Sequence, residues 1–168
     1  MSSDIVTMRV DAIVNAANEA FRGGGGVDGA IHHAAGPELL VECTRHARLP
    51  TGDAVLTRGY RLPAPWIIHT VGPIWRGRGD DAKLLERAYE SVFRIAREQG
   101  DIRTVAFPAI STGAYGCPKD AAAAIAVDVM RRHEAAFDEL FVCVMDDENR
   151  TVYANALRET SPRDLRGR

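Results

Sequence analysis

The sequence predicts an α/β fold built as one domain, with a largely parallel sheet covered by helices on both faces. Three observations carry this. Five short runs rich in β-branched or aromatic residues are bounded by turn residues, as buried strands are. Longer stretches with apolar residues at helical spacing lie between them. The chain has 168 residues, 46% of them hydrophobic and 26% charged, which suits one domain with a full-sized core. That domain is expected to span residues 1–160, with the basic tail "SPRDLRGR" (161–168) frayed.

The elements follow in order. "DAIVNAA" (11–17), "GDAVLT" (52–57), "PWIIHTV" (65–71), "TVAFPAI" (104–110) and "ELFVCVM" (139–145) read as strands. "VDGAIHHAA" (27–35) reads as a helix entered through four consecutive glycines, Gly23 to Gly26. In "KLLERAYESVFRIAREQG" (83–100), Leu84, Leu85, Ala88, Tyr89, Val92, Phe93 and Ala96 share a helical face and Gly100 supplies the stop. "PKDAAAAIAVDVMRRH" (118–133) opens on Pro118, a residue suited to a first helical turn.

The formal net charge is -2, which argues against a protein that coats nucleic acid or an anionic membrane. Three cysteines, Cys43, Cys117 and Cys143, show no C-x-x-C spacing and fit a reduced, cytoplasmic setting. "MSSDIVTMRVD" lacks the regions of a signal peptide, and no apolar run approaches a membrane span, so a soluble protein is expected.

Ligands of open α/β sheets sit beyond the carboxyl ends of the strands, where loops feed helix N-termini. Two glycine-bearing loops hold that position, "NEAFRGGGG" and "STGAYG". Each aims backbone N–H groups and the positive end of a helix dipole at what lies between them, which suits a diphosphate. Only Arg22 and Lys119 flank the loops, so backbone dipoles must meet most of the charge.

Other chemistries find little support. Gly24, Gly26 and Gly29 satisfy G-x-G-x-x-G, but no acidic residue closes a second strand at the distance a dinucleotide fold needs, and there is no G-K-[ST]. The five histidines form no H-E-x-x-H and no zinc-spaced cluster, so no metal is expected. Ser111 lies outside any G-x-S-x-G, and nothing adjacent activates Cys117. His69, ending an apolar strand, reads as a satisfied core histidine.

Taken together, "VDAIVNAANEAFRGGGGVDGAIHHAAGPELLVEC", "PTGDAVLT", "IIHTVGPIW" and "VAFPAISTGAYGCP" resemble the macrodomains of the MacroD type, the ADP-ribose-binding hydrolases. The resemblance runs in order from about Asp4 to the strand near Met145. It implies a three-layer α/β/α sandwich with a mixed, mostly parallel central sheet. Relatives carry a further strand before the "DI" dipeptide, so an absent first edge strand is the expectation here. It also implies removal of mono-ADP-ribose from acidic side chains and deacetylation of O-acetyl-ADP-ribose, without metal or cofactor. The implied partners are ADP-ribose, ADP-ribosylated proteins or O-acetyl-ADP-ribose, acted on by a monomer, with no membrane and with nucleic acid only as a modified substrate.

Position by position, Asp4 resembles the residue that accepts from the adenine amino group, with the Ile5 amide beside it; the bland alternative for Asp4 is a turn cap. Met145 stands where many relatives set an aromatic ring against adenine, and His33 replaces an arginine. Gly24, Gly25, Gly26 and Val27 resemble the residues along the distal ribose and diphosphate, and Ser111, Thr112, Gly113, Ala114 and Tyr115 those on the other side. Asn18 resembles the residue that holds the distal ribose and Asp28 the catalytic aspartate that positions a water, and the resemblance makes the two the expected catalytic pair. A carboxylate in a first helical turn is favoured by the dipole, so a lowered pKa and a positioning role are expected of Asp28. Two classes stay open: a hydrolase, or a reader that binds ADP-ribose and releases it unchanged. RNA binding, which needs a basic face, is a distant third.

Overall fold

In a computed structural model describing residues 3–160, the strands are β1 (Ala12–Ala16), β2 (Ala54–Arg58), β3 (Trp66–Thr70), β4 (Thr104–Phe107) and β5 (Glu139–Val142). The helices are α1 (Gly26–Ala35), α2 (Pro37–Cys43), α3 (Gly79–Gln99), α4 (Lys119–His133) and α5 (Asp147–Glu159). The tail 161–168 lies outside the described residues. The sheet order is β2-β3-β1-β4-β5, parallel throughout except that β2 runs antiparallel to β3. Among the described residues no strand precedes β1, no metal-holding group of His, Cys, Asp or Glu occurs, and no helix is long and apolar enough to cross a membrane.

Period-two alternation sorts each strand between two cores. Ala12, Val14, Ile68, Val105 and Phe107 face the layer of α3, α4 and α5, while Ile13, Ile67 and Ala106 face α1 and α2. Phe107 is fully buried and packs on Tyr89 and Phe93, with ring centroids 5.9 and 5.4 Å apart. Phe107→Ala is expected to remove about 3–5 kcal/mol of stability. A lowered urea midpoint with an unchanged slope would register that loss.

Three local features differ from the sequence reading. Helix α3 starts four residues before Lys83, because the Asp81 carboxylate accepts from the backbone N–H groups of Arg76 and Arg78 and so closes the first turn. Helix α2 begins at Pro37, and α5 is capped by Asp146, whose side chain accepts from Asn149 N at 2.8 Å. Neither helix shows a long apolar stripe, the signal on which the other helix assignments rest.

Candidate active site

The carboxyl ends of β1 and β4 deliver the two loops. After β1, Asn18 staples the first: its Oδ1 accepts from Phe21 N at 3.1 Å and its Nδ2 donates to the Gly23 carbonyl at 3.2 Å. Gly26 opens α1 at φ +56°, a left-handed conformation that costs glycine little. Gly29 has a different reason: a Cβ there would stand 2.5 Å from the Gly24 carbonyl oxygen, so its absence lets the helix press onto the loop. A Cβ on Gly24 would lie 3.1 Å from Asn18 Nδ2 and 3.2 Å from Asp28 Oδ2, so the amide and the carboxylate flank one bare stretch of backbone.

Asp28 is buried, 5% exposed, although it sits in a first helical turn. Its Oδ1 accepts from Asn15 Nδ2 at 2.8 Å and lies 3.5 Å from His32 Nε2, one turn along the helix. Burial raises its pKa above the ordinary aspartate value, opposed by the Asn15 hydrogen bond and the His32 charge. This corrects the lowered pKa expected from the helix start. Removal from water outweighs a dipole effect that acts on a surface carboxylate.

The second loop leaves β4 through Ile110. Ser111 adopts φ +66° without being glycine, and its buried hydroxyl donates to the Pro73 carbonyl at 2.9 Å. Its side chain therefore ties the loop to the Pro73 segment. The bonds Cys117 N to Ser111 O (2.8 Å) and Trp75 N to Tyr115 O (2.8 Å) close the turn, while Gly113 and Ala114 stay exposed and Thr112 half-buried. Burial raises the Tyr115 phenol pKa, and the Glu19 and Asp28 charges raise it further. Tyr115 and Glu19 line one open mouth.

That mouth is a cavity of about 480 Å³, lined by Glu19, Thr51, Gly72, Ile74, Arg76 and Tyr115 among others. A larger one, about 730 Å³, lies between α4, α5 and β5 and carries none of the expected site residues. Ahead of β1, Asp4 is exposed and caps a 3-10 turn over Ile5–Thr7, its Oδ1 accepting from Val6 N at 3.2 Å. Ile5 is buried beneath it, and Met145 is 73% exposed just past β5. Burial raises the Cys143 thiol pKa, and the Asp4 charge adds to that rise. Val27, in the first turn of α1, is half-buried against the α1 and α2 core.

Asn15 and His32, which the sequence reading left unassigned, are the two groups that touch the Asp28 carboxylate. Signals for both were present: a lone amide in an apolar strand, and a histidine four residues after an aspartate on one helix. His69 is a buried histidine with both ring nitrogens partnered, as expected.

The Macro domain family model matches residues 14–126, which include both loops. A macro domain-containing protein of Ralstonia nicotianae is 52% identical over 160 residues, covering 95% of this chain and 93% of the relative. A protein named O-acetyl-ADP-ribose deacetylase in Escherichia fergusonii is 48% identical over 168 residues, covering 95% and 94%. Among solved structures, the Oceanobacillus iheyensis macrodomain with ADP superposes with a TM-score of 0.88 at 39% identity, covering 94% of this chain and 88% of that one. The Trypanosoma brucei macrodomain in complex with ADP-ribose gives 0.81 at 39%, covering 89% and 64%. With more than half its length matched by the family model and such relatives at about 50% identity, this chain belongs to the macro domain family.

Proposed function

We propose that the chain binds ADP-ribose and hydrolyses its esters, deacetylating O-acetyl-ADP-ribose and releasing mono-ADP-ribose from acidic side chains. The observation that carries this is the Asp28 carboxylate, buried beside Gly24 at the start of α1. The relative named O-acetyl-ADP-ribose deacetylase supports the same reaction class.

In this reading the backbone of Gly24, Gly25, Gly26 and Val27 cradles the distal ribose and diphosphate from one side, and that of Ser111, Thr112, Gly113 and Ala114 from the other. Tyr115 covers the distal ribose, Asn18 borders it, and adenine lies toward Asp4, Ile5 and Met145. Asp28 keeps Oδ1 on Asn15 and turns Oδ2 toward Gly24, where it orients a water. The water oxygen forms a new bond as the ester C–O bond breaks, leaving a free acid and a sugar hydroxyl. Water is the only co-reactant. One chain supplies both loops and the carboxylate, so a monomer suffices, and the three free, buried thiols suit a reducing cytoplasm.

The two hydrogen bonds that hold the Asn18 amide to its own loop favour a second reading, a module that holds ADP-ribose without turning it over. Release of ADP-ribose from a protein modified on glutamate or aspartate, by wild type and Asp28→Ala without added metal, separates the two. Turnover lost in the variant is expected; binding with no turnover by wild type would leave the reader.

The raised pKa of Asp28 predicts a pH profile. If the carboxylate form positions the water, kcat should fall on the acid side at a pH above the ordinary aspartate value of 3.8. An acid limb at or below that value would contradict the role. Salt makes a further prediction, because both flanking cations are occupied. Arg22 donates to the carbonyls of Phe21, Cys43 and His46, and Lys119 to Asp146 and Glu148. The Kd for ADP-ribose, measured by calorimetry, should rise less than about tenfold between roughly 50 and 500 mM salt.

A further inference from the structure

Three polar side chains stand on the α1 face of three adjacent strands: Thr57 of β2, His69 of β3 and Asn15 of β1. His69 is fully buried, and burial holds its imidazole down to about 3, so the ring is neutral and carries one proton. Its Nε2 lies 2.8 Å from Thr57 Oγ1 and its Nδ1 lies 3.0 Å from Asn15 Nδ2. The Thr57 hydroxyl donates to the Arg58 carbonyl at 3.2 Å, so toward His69 its oxygen accepts. Asn15 Nδ2 can only donate, so the Nδ1 it meets at 3.0 Å is a bare acceptor and Nε2 holds the proton. Asn15 meets it with one amide N–H and gives the other to Asp28 Oδ1. Phe21 closes the ring's surroundings, edge-on at 4.9 Å.

The opposite tautomer would break this order. A proton on Nδ1 would oppose the Asn15 amide donor, and a rotated amide would present its carbonyl both to His69 and to the Asp28 carboxylate. Two acceptors would then face each other unless Asp28 took up a proton.

We propose that Thr57 and His69 are positioning residues that lock one imidazole tautomer, so that Asn15 presents N–H to Asp28 and keeps it an ionised, oriented carboxylate. The inference rests on the water-orienting role of Asp28 in the proposed hydrolysis. The titratable groups coupled electrostatically to Asp28 are His32 on α1, 3.5 Å away, Cys43 on α2 and Tyr115 on the second loop; those coupled to His69 are His32 and His46.

The test uses the whole chain as wild type, Thr57→Val and Thr57→Ser, with two readouts that need no turnover. Nitrogen-15 NMR reports the His69 tautomer, and carbon-13 NMR reports the titration of the Asp28 carboxyl. In wild type His69 should be protonated on Nε2. Thr57→Val should lose that preference, titrate Asp28 at a higher pH and lower kcat about tenfold while the Kd for ADP-ribose holds; Thr57→Ser should restore all three. A wild-type proton on Nδ1 would overturn the proposal even if Thr57→Val fails to fold, and so would an Asp28 titration unmoved in Thr57→Val. A wild type that binds ADP-ribose without hydrolysing it, yet shows both NMR changes, would remove the hydrolase reading and leave the lock in place.

Discussion

Asp28→Asn is expected to lose nearly all ester hydrolysis, by a factor of about 100 or more, while ADP-ribose still binds. The amide keeps the size of the side chain and leaves an oxygen for Asn15 Nδ2, so the loop and its glycines need not move. What it loses is the negative charge that orients and polarises a water. Stability should change in the opposite sense. A buried Asp with a raised folded pKa contributes most to stability below its unfolded value, and that contribution is lost as pH rises through the folded pKa. At neutral pH the native protein carries a desolvated charge, so the Asp28→Asn variant should melt no lower than wild type. Steady-state kinetics, calorimetric binding and a thermal melt on one preparation check all three. Equal loss of binding and turnover would assign Asp28 to ligand recognition.

Gly29→Ala should damage the site strongly. The Cβ would stand 2.5 Å from the Gly24 carbonyl oxygen, a backbone atom with no side-chain freedom to withdraw. Helix α1 must lift from the loop or the loop must shift away from Asn18 and Asp28, and either change spoils the cradle. Overpacking of this kind costs about 1–3 kcal/mol. The ADP-ribose Kd should weaken at least tenfold, because the displaced backbone carries the N–H groups proposed for the diphosphate. Gly79→Ala, at the start of α3 and outside both loops, is the control, since a Cβ there meets nothing within 4 Å. A Gly29→Ala protein with native affinity would show that the close approach serves packing alone.

Much of the architecture was legible from local pattern. The five apolar runs became the five strands and the Leu84 to Ala96 stripe became α3, because periodicity is written in consecutive residues. Helices α2 and α5 escaped because one is short and both are held by their neighbours rather than by a broad apolar stripe. Of the groups gathered at the candidate site, the sequence singles out the two glycine loops and Asp28 but gives no role to Asn15 and His32, which lie against the Asp28 carboxylate. A single asparagine in a strand or histidine in a helix means little until its neighbour across space is known.

The sequence by itself determined the alternation of strands and helices, the two loops at the carboxyl ends of β1 and β4, and the family. Only the tertiary structure decided how the polar groups work. It turned the Ser111 hydroxyl inward to Pro73, committed both ends of the Asn18 amide to its own loop, and reversed the expected shift of Asp28. The physical reason is range. Strand and helix pattern is set by residues within a few positions, whereas the partners that fix these groups lie 13 residues away for Asn15 and Asp28, 38 for Ser111 and Pro73, and 54 for Asn15 and His69. Burial and hydrogen-bond direction at such distances exist only once the sheet has assembled.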